Sequence, residues 1–354
     1  MVNIDDINTY ERLDPQNMRE HLKGLAGQCR DAWNKARKFE LPVDYKDINK
    51  VVVTGMGGSA IGGDLARSLF GSQKKPIIFV NREYDLPAFV DDKTLVIASS
   101  YSGNTEETLS AFSQSLEKNC KKLAITTGGK LRPTAEQAGV PVFTIDYVGQ
   151  PRAALGYGFM SLIAFLQTLG LVEDQTAAVE AMIQDLEKQL TELKETVPTG
   201  SNPAKQLAGK LAGKIAVIYG AGILSQVAHR WKTQINENGK ASAFYEIFSE
   251  LNHNAVVGYQ FPKALVSEIY VVMLRCPSLH HRILLRYKIT GDMMAQNGIV
   301  YETVDCKGKG QLSQIMSLIY LGDWVSYYLA MLNETDPTPV KIIEYLKKRL
   351  SEEK

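Results

Sequence analysis

Two short segments concentrate the groups that hold an anion. Ser99-Ser100-Tyr101-Ser102-Gly103-Asn104-Thr105-Glu106-Glu107-Thr108 follows an apolar run and combines hydroxyls with a glycine at the expected start of a helix. Orphan backbone N–H groups and aligned peptide dipoles make such a helix start favourable for negative charge, so Ser100, Ser102 and Thr105 are candidate ligands of a phosphate dianion, with no lysine required. Simple N-capping is the competing reading, but it needs one hydroxyl residue and at most a Glu three positions on. The second segment is Gly55-Met56-Gly57-Gly58-Ser59-Ala60. It satisfies the G-x-G-x-x-A form of a dinucleotide site, yet the strand that should end in a ribose-binding acid ends in Asn81, and Gly220-Ala221-Gly222 further on has no clear acid either. NAD is therefore not expected. A tight strand-to-helix turn explains Gly55 but leaves the run Gly57-Gly58-Ser59 unexplained.

Isolated ionisable residues are the next candidates. Glu237, between Asn236 and Asn238, is either a base or a surface acid at a helix end. His253 lies in Asn252-His253-Asn254, where the asparagines can orient its ring, or it is a satisfied loop histidine. Arg152 stands alone before twenty uncharged residues, 153–172, and on position alone reads as a helix-start charge at an interface. Lys341 and Lys347 near the C-terminus are candidate cations or solvated charges. The five histidines show no HxH or HExxH spacing, and His280 and His281, being adjacent, should diverge on a helix or a strand. No metal site is expected. The four cysteines, Cys29, Cys120, Cys276 and Cys306, are each about thirty residues or more from the next, with no CxxC pair, which fits a reducing cytoplasm.

These residues must be positioned by about two domains' worth of chain, 354 residues. Forty basic against thirty-nine acidic side chains give net charge +1, which excludes a large field for nucleic acid or an anionic membrane. The N-terminal MVNIDDINTYERLD lacks the apolar core of a signal peptide. Residues 153–172 approach membrane length but contain glycines, Ser161, Gln167 and Thr168, so a buried helix is expected there. Asp14-Pro15 should open an amphipathic helix over 15–39. Apolar runs at 51–53, 76–80, 94–100, 122–127 and 140–146, alternating with helical stretches, predict a parallel sheet buried on both faces. A helix through Val179, Ile183, Leu186, Leu190 and Leu193 and a loop at 197–203 precede a second alternation at 214–220, 264–274 and 298–305, closed by helices near 311–334 and 338–350. Residues 51–57 and 216–222, about 165 residues apart, repeat the order strand, Gly-x-Gly, helix, which predicts a duplication. The expected organisation is an α/β fold with an N-terminal helical segment 1–49, a first domain 50–172, a linker 173–203 and a second domain 204–354.

The hydroxyl-rich loop resembles that of the sugar isomerase (SIS) domain. With GMGGSAIGGD at 55–64, SYSGNTEET at 100–108, PRAALGYG at 151–158, QINENGK at 234–240, ELNHN at 250–254 and DPTPV at 336–340 followed by a late LK pair, the chain resembles the bifunctional phosphoglucose/phosphomannose isomerase family from residue 51 to about 350. It departs from that pattern at Ala255, where Glu is usual, and at Gly239, where Ala is common. The resemblance implies two SIS domains, each a mainly parallel, flavodoxin-like doubly wound sheet flanked by helices. It implies a cytoplasmic, metal-independent and cofactor-free enzyme interconverting glucose 6-phosphate, mannose 6-phosphate and fructose 6-phosphate through a cis-enediol(ate). Glu237 would be the base, Arg152 would face the enediolate, and Lys347, with Lys341 as the alternative, would help to open the ring. Thr338 would lie near C2, and Gly57, Gly58, Ser59, Ser100, Ser102 and Thr105 would bind the substrate. His253 would open the ring in the site of the partner subunit of a homodimer. A sugar-phosphate-binding regulator is the competing reading. It would need Ser100, Ser102 and Thr105 but has no use for Glu237, His253, Arg152 and a late lysine, and no helix-turn-helix is evident.

Overall fold

The computed structural model describes residues 2–72 and 76–353. Its first sheet comprises β1 (Lys50–Thr54), β2 (Ile77–Asn81), β3 (Thr94–Ser100), β4 (Lys121–Thr126) and β5 (Val142–Thr144), all parallel, in the order β2-β1-β3-β4-β5. Its second comprises β6 (Ile215–Ala221), β7 (Ala243–Phe248), β8 (Ile269–Arg275) and β9 (Val300–Asp305), also all parallel, in the order β7-β6-β8-β9. The second sheet thus repeats the first without its last strand. Every residue of β3 is buried, the pattern of a central strand covered by helices on both faces.

Strand β7 is not evident among the apolar runs. It is an edge strand whose sequence, Ala-Phe-Tyr-Glu-Ile-Phe, leaves Phe244 exposed, so it carries neither a continuous apolar run nor a clean alternation. The expected strand 264–274 is split, with a short helix at Lys263–Val266 and β8 starting only at Ile269. The helix expected over 15–39 is also two, Met18–Lys23 and Leu25–Arg37, meeting at Gly24. The start also lies later than Asp14-Pro15, at Met18 with Asn17 in the cap position, because Asp14 ends a preceding helix, Ile7–Leu13; its carboxylate nevertheless accepts from the Met18 and Arg19 amides at 2.7 and 3.0 Å.

Two apolar helices build the interior. Leu155–Thr168, within the segment that approached membrane length, is 14 residues long and is buried against Leu25–Arg37 and Gly57–Phe70. A longer one, Gln311–Leu332, has 22 residues and is apolar enough to cross a membrane by composition, but it is buried against the helices Thr176–Leu193, Pro203–Leu211 and Ser225–Glu237. Asp323 interrupts its apolar sequence, so it does not stand out as a span; in the fold Asp323 is paired with Arg230 at 2.7 Å. Gly322 permits a close approach on this helix. A Cβ there would lie 2.3 Å from the Trp231 indole nitrogen, which donates to the Leu318 carbonyl at 2.7 Å. That contact sets the Ser225–Glu237 helix, and so Glu237 at its end, against the core. Buried residues from both halves join one apolar cluster.

Candidate active site

The carboxyl ends of β1 and β3 lie side by side in the first sheet, and the loops leaving them are tied together. Ser99 Oγ donates to the Ser59 carbonyl at 3.2 Å, and the Tyr101 amide donates to Ser59 Oγ at 3.0 Å. Ser100 is buried; its Oγ lies 3.0 Å from Thr105 Oγ1 and accepts from the Gly103 amide at 3.1 Å. Ser102 is exposed, and its Oγ accepts from the Asn104 amide at 3.3 Å. The two helices that start here, Gly57–Phe70 and Glu106–Leu116, have no side-chain hydrogen bond at their caps, Met56 and Thr105. Two uncapped amide clusters and a row of hydroxyls therefore converge on one spot, the arrangement that favours a dianion.

Gly58 joins this loop to the next part of the site. A Cβ on Gly58 would sit 2.8 Å from the Pro151 carbonyl oxygen and 3.1 Å from the Arg152 amide nitrogen, so only glycine lets the Pro151–Ala153 turn come this close. Arg152 is buried and held on three sides. Its Nε donates to Asn238 Oδ1 at 2.7 Å, and its Nη2 donates to the carbonyls of Pro337 and Thr338, both at 2.7 Å. The remaining nitrogen, Nη1, donates to Glu237 Oε2 at 3.4 Å. A guanidinium has five N–H groups, so one on Nη1 is left over. Burial works against the charge on Arg152, and the Glu237 carboxylate works for it, leaving its pKa below the ordinary arginine value.

Glu237 ends its helix with a partly exposed side chain, a position where the helix dipole disfavours an anion. Two cations offset this. Arg152 is one, and Lys240 is the other, its ammonium donating to the Glu237 carbonyl and, at 3.2 Å, to the Pro337 carbonyl. Burial and the neighbouring Arg152 lower the Lys240 pKa. Behind the site, Asn238 donates to Ser326 Oγ at 3.0 Å, while Arg230 donates to the Arg152 carbonyl at 3.0 Å and to Asp323. Thr338 is buried, and its hydroxyl has no hydrogen-bond partner among the described residues.

Gly58, Ser59, Ser100, Thr105, Arg152, Glu237 and Thr338 are thus linked through one set of contacts, which Gly57 and Ser102 adjoin along the chain. His253 and Lys347 are not part of it. His253 is exposed at the end of the turn Glu250–His253, and Lys347 is exposed on the helix Lys341–Glu352, which also begins with Lys341. The asparagines flanking His253 do not hold its ring: Asn252 bonds Thr290 and Arg286, and Asn254 bonds Glu250 and the Ala255 amide. Nor do His280 and His281 diverge. His280 lies outside the helix as its cap, so the two rings meet at 4.4 Å. Among the described residues no three His, Cys, Asp or Glu side chains gather as a metal site would require. Sequence reasoning missed Arg230, Asn238, Lys240 and Asp323. The one signal for this support was Asp323, a lone acid within a long apolar stretch.

Comparison with known proteins shows the family. Residues 44–166 match the SIS domain model, and residues 200–350 match the model described as the bacterial phospho-glucose isomerase C-terminal SIS domain. A bifunctional phosphoglucose/phosphomannose isomerase from Caldicellulosiruptor bescii is 46% identical over 338 residues, 95% of this chain and 99% of the relative. The chain belongs to the bifunctional phosphoglucose/phosphomannose isomerase family. It is accordingly an aldose-ketose isomerase built on two SIS domains. The family member from Aquifex aeolicus is 36% identical over 90% of this chain and 95% of the relative. The fold recurs in a glucose-6-phosphate isomerase-like protein from Thermus thermophilus, with TM-score 0.67 at 16% identity over 97% of this chain and all of that one. Within the isomerase, the candidate anion loops and Arg152 fall in the first matched region, and Glu237, His253, Thr338 and Lys347 fall in the second.

Proposed function

We propose that the protein interconverts glucose 6-phosphate with fructose 6-phosphate and mannose 6-phosphate with fructose 6-phosphate, by proton transfer between C1 and C2. The observation that carries this reading is the Glu237 carboxylate 3.4 Å from a guanidinium whose other contacts lock it in place, next to an anion-binding loop. The names of the family relatives support both substrate pairs. The phosphate is held by Ser100, Ser102, Thr105 and the backbone of Gly57, Gly58 and Ser59. Glu237 removes the C2 proton of the open aldose; the C–H pair becomes the C1=C2 bond, and O1 takes the negative charge. Arg152 offers its spare N–H to that oxyanion, a donor already in position and partly removed from water. A proton then moves from O2 to O1, and protonated Glu237 returns a proton to C1. The small Thr338 side chain and its unpartnered hydroxyl leave room near C2 for either epimer.

Ring opening falls to His253 and Lys347, with Lys341 the alternative for the lysine. His253 reaches the site of the other subunit in a cytoplasmic homodimer. Exposed Ile342, Tyr345, Leu346 and Leu350 on the C-terminal helix support an assembly that covers them. The test is formation of fructose 6-phosphate from each aldose phosphate, with the reaction run in deuterium oxide. Turnover of both substrates with solvent deuterium in the product is expected. Binding of either sugar phosphate without turnover would favour a regulator instead, and retention of the substrate hydrogen would exclude Glu237 as a base exchanging with solvent.

A further inference from the structure

Two cysteines thirty positions apart in sequence meet at the end of the second sheet. Cys276 is the first residue after β8 and Cys306 the first after β9. These strands run parallel in register, Leu274 opposite Val304 and Arg275 opposite Asp305, and the ladder continues one step as the Cys306 amide donates to the Arg275 carbonyl at 2.9 Å. Cys276 and Cys306 are therefore the next facing pair. Neighbouring strands lie about 4.8 Å apart, within the roughly 4.4–6.8 Å between Cα atoms that a disulfide spans, and facing residues project to the same side. Cys276 Sγ lies 3.2 Å from Ser278 Oγ, which donates to Gln314 Oε1. Cys276 is buried, while Cys306 is partly exposed between exposed Asp305 and Lys307, which gives a small oxidant access.

We propose that Cys276 and Cys306 form a redox-reactive dithiol that a peroxide closes to a disulfide. Neither the family assignment nor the isomerase chemistry uses these residues. Cys276 also ionises more readily than an ordinary thiol. The Cys306 thiol and the Ser278 hydroxyl stabilise the Cys276 thiolate against the cost of burial and bring its pKa down to about 7. Cys306 is pushed up, because it then donates to a sulfur that already carries charge. The thiolate attacks one oxygen of hydrogen peroxide, the O–O bond breaks, and hydroxide leaves, giving a sulfenic acid. The other cysteine's sulfur then attacks the sulfenic sulfur, the S–O bond breaks, the S–S bond forms, and water leaves with the thiol proton. Two thiols are oxidised and one peroxide is reduced to two waters. The product ties the loop that carries Leu279 to the segment that leads into the Gln311–Leu332 helix.

The test uses the folded full-length protein. It is treated with a small excess of hydrogen peroxide, quenched, alkylated with iodoacetamide in denaturant and digested with trypsin without reduction. The expected product is peptide 276–282 joined to peptide 289–307, lighter by two hydrogens than the sum of the two and lost on treatment with dithiothreitol. Two of the four thiols should disappear while Cys29 and Cys120 remain alkylated. In Cys306→Ser the link should be absent, and dimedone should trap a sulfenic acid on Cys276. The proposal is overturned if both cysteines of the wild type remain alkylated, if each is carried separately to the sulfinic acid, or if the links join different chains. It is also overturned if the link forms no faster in the folded protein than in urea, because the native geometry would then play no part.

Discussion

The loops after β3 and after β8 occupy the same place in the two sheets, yet they offer an anion different groups. After β3 the chain offers Ser100, Ser102 and Thr105 and a helix whose cap makes no side-chain bond. After β8 it offers Cys276-Pro277-Ser278-Leu279-His280. Pro277 has no N–H to give, and His280 Nδ1 already accepts from the Arg282 amide at 3.2 Å, which caps the following helix. Leu279 is buried over the second glycine loop, its Cδ2 only 3.1 Å from where a Cβ of Gly222 would lie. The topology is duplicated and the chemistry is not. The helix after β1 presents its N-terminal amides to the site, whereas the corresponding helix after β6 presents its C-terminal residue, Glu237. In the proposed function one half holds the anion and the other supplies the carboxylate, and neither set of groups suffices for an isomerisation alone.

The sharpest way to break this division of labour is to remove the carboxylate. Glu237→Gln keeps the shape and the contact to Arg152 while losing the base, so turnover should fall by roughly 100-fold or more, with sugar-phosphate binding still detectable by calorimetry. Near-native turnover would remove Glu237 from the mechanism. Next comes the subunit test: Glu237→Gln and His253→Ala, each inactive alone, are unfolded and refolded together. If His253 serves the partner's site, a mixed dimer holds one site with both lesions and one with neither, and activity should return to at most half of native per mixed dimer. Mixed dimers, verified by mass, that stay as inactive as the parents would put both residues in one chain's site.

A smaller effect compares the two loops directly. Ser102→Ala with Thr105→Ala should raise the Michaelis constant by about tenfold or more through lost hydrogen bonds to a charged group, with little change in kcat. Ser278→Ala, in the corresponding loop of the second sheet, should leave it unchanged. An equal effect from both loops would mean that the phosphate is not held where the first sheet ends.

The smallest effect is on stability. His229, on the helix that ends in Glu237, is half-buried against the Tyr245 ring at 4.8 Å, and burial, reinforced by Arg82, lowers its pKa. The unfolded chain therefore takes up this proton at about pH 6.5 while the folded chain resists it, so the contribution is complete above that value and shrinks as pH falls towards the lower folded pKa. Thermal melts of wild type and His229→Gln between pH 7.5 and 5.5 should show the wild type losing more stability on acidification. Parallel curves would show that His229 titrates alike in both states.

How much of this was legible depended on how local the cause was. β3 announced itself through a continuous apolar run because both of its faces are covered; β7, an edge strand with Phe244 in solvent and Glu246 in its middle, did not. The hydroxyl loop was legible because its hydroxyls and its helix start lie within ten residues of sequence. The cysteines read as isolated, and they are neighbours only because β8 and β9 pair in register. His280 and His281 read as diverging because regular geometry was assumed for both, whereas His280 is a cap with non-helical dihedrals.

From the sequence alone came the duplicated α/β pattern, the hydroxyl loop and the identity of the candidate charges, all of which follow from residue type and short-range periodicity. Which charges meet was decided by the tertiary structure. Arg152 is fixed by Asn238 and by the carbonyls of Pro337 and Thr338, groups separated from it by 86, 185 and 186 positions along the chain. Nothing in the residues around Arg152 encodes those partners. They arrive because Gly58 admits the Pro151–Ala153 turn and Gly322 admits Trp231, and because a buried guanidinium is tolerable only where packing brings acceptors to it.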